Sequence, residues 1–264
     1  MRKKLVVGNW KMNMTRAEAA ACVETFVEQV STGHDADVAI CPPYLAISVV
    51  HDLLKKTPIE TGAQDVFWAE KGAFTGSVSA GMLADAGVSY CIVGHSETRG
   101  RFGKLEVPAE TTGYFAETDL TVNLKTKALL ERGIHPILCV GETLAEREAQ
   151  NTDTVIQDQL KAGLAGIDGA EFAEGVIAYE PVWAIGTGMT CDSPEASRVC
   201  GMIRATLAEI WDEDAANRVR ILYGGSVKGA NAHELFSQPD IDGGLVGGAS
   251  LVPDEFHRIV FAAK

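Results

Sequence analysis

Basic residues are scarce: 23 lysines and arginines stand against 36 aspartates and glutamates, a formal net charge of −13, with an isoelectric point near 4.9. Nucleic acid demands basic patches, so this balance argues against it as a partner, and equally against an anionic membrane surface. An anionic ligand has to be captured by a local arrangement, because the overall field repels it. Long hydrophobic runs are missing as well. No stretch is long enough to span a bilayer, and the few apolar residues after Met1-Arg2-Lys3-Lys4 are too short for a secretory leader. The six cysteines (Cys22, Cys41, Cys91, Cys139, Cys191, Cys200) form no Cys-x-x-Cys pair. Most lie in apolar runs, where a free thiol behaves as a small buried hydrophobe. A reduced, cytoplasmic setting without a metal site is the expectation. No linker, low-complexity tract or repeat interrupts the chain. Its 264 residues suit one large α/β domain, or two small ones, with an ample core.

What the chain does have is a succession of short apolar runs of strand length. They are Leu5-Val6-Val7, Val38-Ala39-Ile40-Cys41, Cys91-Ile92-Val93, Ile137-Leu138-Cys139-Val140, Val176-Ile177-Ala178, Ile221-Leu222 and Leu245-Val246, with a weaker one at Ile59–Ala63. Apolar without alternation, they read as strands buried on both faces, as parallel strands are. Helical patterns lie between them. Thr15 and Glu18 form a capping box, and Ala19, Cys22, Val23, Phe26, Val27 and Val30 follow on one face. Thr143 and Glu146 repeat the box. Ser193-Pro194 starts a third helix, with Ala196, Val199, Ile203, Leu207 and Ile210 inward. A doubly wound sheet and a closed barrel both accommodate strand–helix alternation. Roughly eight units in about 250 residues favour a single-domain (β/α)8 barrel.

The residues that break the apolar pattern fall directly after strands: Asn9 and Lys11, His95, Glu180, Gly224-Gly225-Ser226 and Gly247-Gly248. In a barrel those loops converge on one face, where such enzymes work. Glu180 ends an apolar strand, runs into Pro181, and precedes a segment with Gly186 and Gly188. An acid or base at a strand end before a closable loop is the layout of a gated site. The same spacing also fits an ordinary turn with a solvated glutamate. A lysine at a strand end is usually a solvated charge, yet an acidic anion-binding protein needs a cation such as Lys11 in its pocket. His95 alone would more often be a structural hydrogen-bonder, but it sits in Gly94-His95-Ser96-Glu97 at the same end of the barrel. The two glycine pairs let backbone N–H groups close on a phosphate, and Gly247-Gly248-Ala249-Ser250 opens a helix whose positive end suits an anion.

Taken together, these residues resemble the triosephosphate isomerase family. The blocks that carry the resemblance are Gly8-Asn9-Trp10-Lys11-Met12-Asn13, Ala69-Glu70-Lys71-Gly72-Ala73-Phe74-Thr75-Gly76, Gly94-His95-Ser96-Glu97, Cys139-Val140-Gly141-Glu142, the Glu180 loop, Tyr223-Gly224-Gly225-Ser226-Val227 and Gly247-Gly248-Ala249-Ser250-Leu251. They run from end to end in the family's order. The resemblance implies interconversion of dihydroxyacetone phosphate and D-glyceraldehyde 3-phosphate through an enediolate, in glycolysis and gluconeogenesis, without metal or organic cofactor. Glu180 is then the base and His95 a neutral electrophile, a pKa argument for which this family is itself the standard illustration. Lys11 supplies positive charge, Asn9 a polar contact, and Glu97 stands beside Lys11 and His95. Backbone N–H groups of Gly186, Ser226, Gly247 and Gly248 grip the phosphate. The resemblance also implies a homodimer in which Thr75 reaches the partner subunit's pocket. Other phosphate-binding barrels remain alternatives at this point: another sugar-phosphate isomerase, a Schiff-base aldolase, or a protein that binds phosphate without catalysis. An aldolase of that kind would carry a lysine where the sixth unit offers Glu180.

The chain departs from the family in three places. Residues 100–113 are extra, and with Gly100, Gly103, Pro108 and Gly113 they read as a loop rather than an added helix. Ser77 and Thr98 stand where the family commonly has a glutamate and an arginine that pair near the subunit interface. Met189 replaces a lysine common at the far hinge of the Glu180 loop, which bears on loop kinetics rather than on chemistry.

Overall fold

A computed structural model describes residues 2–30, 33–102 and 107–264. Eight parallel strands close into a barrel in sequence order. They are β1 (Leu5–Asn9), β2 (Asp37–Cys41), β3 (Ile59–Ala63), β4 (Tyr90–Val93), β5 (His135–Val140), β6 (Val176–Tyr179), β7 (Arg220–Tyr223) and β8 (Gly243–Val246). β1 closes the ring, with Val6 opposite Val38 on one side and Gly244 on the other. Every apolar run read as a strand is one, including the weak run at Ile59–Ala63.

The strands are apolar throughout because both of their faces are covered. Leu5, Val7, Ala39, Cys41, Ile92, Ile137, Cys139, Val176, Ala178, Leu222 and Leu245 point inward and fill the barrel. Their neighbours Val6, Val38, Ile40, Val93, Leu138, Ile177, Ile221 and Val246 point outward into a second cluster, shared with the helices. Around the barrel run α1 (Arg16–Val30), α2 (Ile47–Leu54), α3 (Ala80–Asp85), α4 (Asp119–Leu130), α5 (Leu144–Glu148), α6 (Thr152–Gly163), α7 (Ser193–Ile210), α8 (Glu213–Arg218), α9 (Gly229–Phe236) and α10 (Pro253–Ala262). α1 buries Ala19, Val23, Phe26 and Val30, the stripe its spacing predicts. Its capping box forms: the Thr15 N–H donates to Glu18 Oε2 at 2.7 Å, and the Glu18 N–H returns to Thr15 Oγ1 at 3.4 Å. The box at Thr143 and Glu146 also forms and starts α5.

α7 starts at Ser193, as Ser193-Pro194 predicts. Asp192 caps the helix, its carboxylate accepting the Glu195 N–H at 2.9 Å, because a charged acceptor one residue earlier suits the free N–H groups better. Within the extra segment, Ala109–Tyr114 forms a short 3-10 helix instead of open loop. Pro108 sets the entry with φ −56°, and the Thr111 hydroxyl donates back to its carbonyl at 2.8 Å. Residues 103–106 of that segment lie outside the described residues.

One glycine fixes where β5 and β6 meet at the mouth of the barrel. A Cβ on Gly141 would lie 1.8 Å from the Glu180 carbonyl oxygen. Buried Gln159 clamps the same residue, accepting from its N–H at 2.8 Å and donating to its carbonyl at 3.2 Å. Gly141→Ala is therefore expected to lower unfolding stability by about 1–3 kcal/mol, the usual cost of overpacking. Gly113→Ala, which meets nothing within 4 Å, should stay within about 0.5 kcal/mol of the parent. Urea unfolding of both variants checks this, and equal midpoints would show that Gly141 is not tightly packed.

Candidate active site

Asn9, Lys11, His95, Glu180, Gly186, Ser226, Gly247 and Gly248 line one cavity of about 310 Å3 at the C-terminal end of the strands. They reach it from the ends of five strands, β1, β4, β6, β7 and β8, or from the loops that follow them, as barrel geometry requires. Ile185, Val227 and Leu245 give it an apolar wall, and Gly225 and Lys228 complete its rim. Among the described residues, no group of histidine, cysteine and carboxylate side chains is arranged to hold a metal ion.

Glu180 is 2% exposed, so its charge must be compensated inside the protein. The Ser96 N–H donates to Oε2 at 2.9 Å, and His95 Nε2 lies 2.9 Å from Oε1. Burial pushes the Glu180 carboxyl up, but His95, the Ser96 N–H and Lys11 outweigh it and hold the pKa below its ordinary value. The His95 ring is also buried, and its tautomer follows from its contacts. The Glu97 N–H points at Nδ1 from 3.1 Å, so Nδ1 carries a lone pair and Nε2 carries the proton given to Glu180. Burial disfavours the imidazolium, while the carboxylates of Glu180 and Glu97 favour it and raise the His95 pKa. Glu180 contributes the larger part of that pull and Glu97 the smaller, with Lys11 opposing both.

Lys11 adopts φ 53°, a left-handed conformation that costs a non-glycine residue energy and persists where neighbours impose it. Asn9 and Gln64 impose it here. Asn9 Oδ1 accepts the Lys11 N–H at 3.0 Å, and Gln64 Nε2 donates to the Lys11 and Cys41 carbonyls, both at 2.9 Å. The ammonium then meets Glu97 Oε1 at 2.5 Å. Glu97 lies beside Lys11 and His95 as expected, lining an adjoining cavity of about 240 Å3 with Met12, Tyr44, Gln64, Asp65 and Thr98. Thr75 is exposed on its own loop and lines neither cavity.

Several residues at the site were not singled out by the sequence. Gln64 directly follows β3 and obeys the rule that found the others. Lys228 closes the loop that begins at Gly224. Glu142 follows β5 and is fully buried. Its Oε1 accepts from Trp183 Nε1 at 2.8 Å and from the Tyr179 hydroxyl at 3.2 Å, so it holds the start of the Glu180 loop. Burial pushes the Glu142 carboxyl up despite these donors and Arg147. A carboxyl with a raised folded-state pKa penalises the folded state when ionised. The penalty is absent below about pH 4.3, the ordinary value, and grows until the raised pKa is passed. Glu142→Gln should therefore gain thermal stability relative to the parent as pH rises from about 4 to about 8. A difference that does not change with pH would contradict a raised Glu142.

Comparison with known proteins agrees with this geometry. The family profile described as triosephosphate isomerase matches residues 4–263. A triosephosphate isomerase of Prosthecochloris aestuarii is 50% identical over 265 residues, covering 100% of this chain and 99% of the relative. One from Trichlorobacter lovleyi is 48% identical over 260 residues, covering 98% of each. One from Acetivibrio thermocellus is 46% identical over 258 residues, covering 98% of this chain and 97% of the relative. A chain matched over its whole length, with its cavity formed by the loops that carry the resemblance, belongs to the triosephosphate isomerase family.

Proposed function

We propose that Glu180 is the general base with which this chain interconverts dihydroxyacetone phosphate and D-glyceraldehyde 3-phosphate through an enediolate. The chain is an intramolecular aldose–ketose isomerase of glycolysis and gluconeogenesis. The observation that carries the role is a carboxylate 2% exposed at the mouth of the barrel, held by contacts it can exchange for substrate. Resting against Ser96 and His95, Glu180 is a weak base. Turned toward a carbon-bound proton it gives up those donors, while Ile185, Val227 and Leu245 keep water out and its pKa rises. Gly224 leaves room for that turn, since a Cβ there would sit 3.0 Å from Glu180 Cγ.

His95 then offers its Nε2–H to the oxygens of the enediolate, with Lys11 adding positive charge and Asn9 a polar contact. The proton taken by Glu180 returns to the neighbouring carbon. Backbone N–H groups of Gly186, Ser226, Gly247 and Gly248 grip the phosphate, drawing an anion into a chain of net charge −13. The chemistry calls for no cofactor. Free thiols at all six cysteines fit a reducing cytoplasm. Among the described residues, no helix is long and apolar enough to cross a membrane.

Glu180→Gln should fold normally and lose a factor of about 10²–10⁴ in kcat, the usual span for a general base. Turnover of dihydroxyacetone phosphate checks this. Retention of more than about a tenth of parental kcat would remove Glu180 from that role.

The active unit we propose is a homodimer, with Thr75 of each chain completing the other's site beside Lys11 and Glu97. The 69–76 loop is preformed for such a reach: Phe67 stacks on Trp68 at 4.1 Å and meets Phe74 at 4.6 Å. Met12 is 96% exposed and Leu45 86%, with Tyr44, Phe74 and Met82 also exposed, apolar side chains that a second subunit would cover. Thr98 finds its partner within the chain, its hydroxyl 2.5 Å from Glu117 Oε2. Lys125 bridges Glu117 at 2.5 Å and Asp65 at 2.6 Å, so this charge cluster closes without the partner. Tyr114 of the extra segment, 88% exposed, faces the same groove as Trp68 and Thr98. Sedimentation should give twice the 28.1 kDa chain mass. Deleting 100–113 should raise the concentration at which the dimer dissociates, and an unchanged value would mark the segment as surface decoration.

A further inference from the structure

The loop between Pro181 and Asp192 has two anchors, and one guanidinium touches both. Trp183 lies at the start of the loop. Glu195 lies in the first turn of α7, which Asp192 caps as the loop ends. Arg147, on α5, places its Cζ 4.4 Å from the Trp183 ring centroid and its Nη1 3.0 Å from Glu195 Oε1. The same Nη1 is 3.6 Å from Glu142 Oε1, the oxygen that accepts the Trp183 N–H at 2.8 Å. Glu142 also accepts the Val182 N–H at its carbonyl, 3.1 Å away. Trp183 passes its pose on to the middle of the loop, since its carbonyl accepts the Thr187 hydroxyl at 2.6 Å.

We propose that Arg147 is a positioning residue for this loop: by joining Trp183 to Glu195 it makes the two anchors move as one, so that the loop closes over the pocket as a unit. This rests on Glu180 being the base and on the 181–192 loop being the lid above it. A guanidinium suits the task because its plane stacks on an indole face while its edge serves carboxylates. Arg198 provides an internal comparison. It pairs with the same Glu195 at 2.8 Å, whereas the cation over the Trp183 ring is Arg147.

A lid that closes badly exposes the enediolate phosphate to water. The enediolate electron pair then forms a C=C bond as the C–O bond to phosphate breaks, phosphate leaves with that bond's pair, and the remaining enol ketonises to 2-oxopropanal. Phosphate released per isomerisation therefore reports on closure rather than on folding.

The test compares Arg147→Met, Arg147→Lys and Arg198→Met for kcat, KM and inorganic phosphate released per turnover of D-glyceraldehyde 3-phosphate. Arg147→Met is expected to lower kcat and raise the phosphate fraction, each roughly three- to thirty-fold, the span that loss of one cation–π contact allows, with KM little changed. Arg147→Lys, which keeps the charge but not the plane, should fall between Arg147→Met and the parent. It serves alone if Arg147→Met does not fold. Arg198→Met should match the parent in phosphate fraction. An unchanged phosphate fraction in both Arg147 variants would overturn the proposal, as would an equal rise in Arg198→Met. Glu180→Gln, assayed alongside, keeps the two readings apart. If it abolishes turnover while the Arg147 variants behave as the parent, only the role of Arg147 fails. If it retains turnover, the assignment of the base fails.

Discussion

A carboxylate buried at the mouth of the barrel has to be compensated, and the groups that compensate Glu180 are ones it can give up. The Ser96 N–H and the His95 Nε2–H, each 2.9 Å away, take the place of water and keep the charge tolerable in a site that excludes solvent. They also make the resting carboxylate a poor base. On the role proposed for Glu180, reactivity depends on exchanging these partners for substrate, out of water beneath the loop that follows it in sequence. Much else at the site supports this one residue. Gly141 yields space to its backbone, Gly224 to its side chain, and the Glu97 N–H fixes which His95 nitrogen faces it.

The acidic surface gives the cavity a second task. A chain of net charge −13 repels a phosphorylated substrate, so attraction has to be local and aimed. Lys11 is aimed by force: its φ of 53° is kept by Asn9 and Gln64, which hold the backbone on either side of the peptide. Glu97 then steadies the ammonium at 2.5 Å without burying it. On the proposed reading, backbone N–H groups do the rest at the phosphate end. They add no net charge and need no side-chain ordering.

Most of this architecture can be read in the sequence, for a physical reason. Strands covered on both faces are apolar at every position, so the eight runs stand out against helices that are apolar on one stripe only. A polar residue that follows such a run is conspicuous, and this is how Asn9, Lys11, His95, Glu180 and the glycine pairs were legible. Gln64 was equally placed but follows the weakest run, Ile59–Ala63, where Glu60 breaks the pattern. Glu142 was hidden differently. It anchors Tyr179 and Trp183 from 37 and 41 residues earlier in the chain, and only tertiary contacts reveal that its charge is buried. The cap at Asp192 and the 3-10 turn at Ala109–Tyr114 turn on single hydrogen bonds, which pattern reading does not resolve. The homodimer and the reach of Thr75 that we propose rest on family resemblance, since one chain's own packing leaves Thr75 exposed.

The strands that carry Ser226 and Gly247 are joined by an unusual seam. β7 and β8 register only at Tyr223 and Gly244, which leaves few ladder hydrogen bonds between the strands that carry Ser226 and Gly247. Asp242 makes up the difference at the opposite end of the barrel. Its backbone N–H donates to the Ile221 carbonyl at 2.7 Å, and its Oδ2 accepts the Ile221 N–H at 2.9 Å. Its carbonyl accepts the Leu5 N–H at 2.9 Å, which carries the join on to β1. Arg2 and Arg204 neutralise the carboxylate, at 2.8 and 2.6 Å, so a nearly buried charge serves as a strand partner without remaining unpaired. The ion cluster around Asp242 thus makes a sparsely paired β7–β8 seam tolerable at the end of the barrel opposite the cavity.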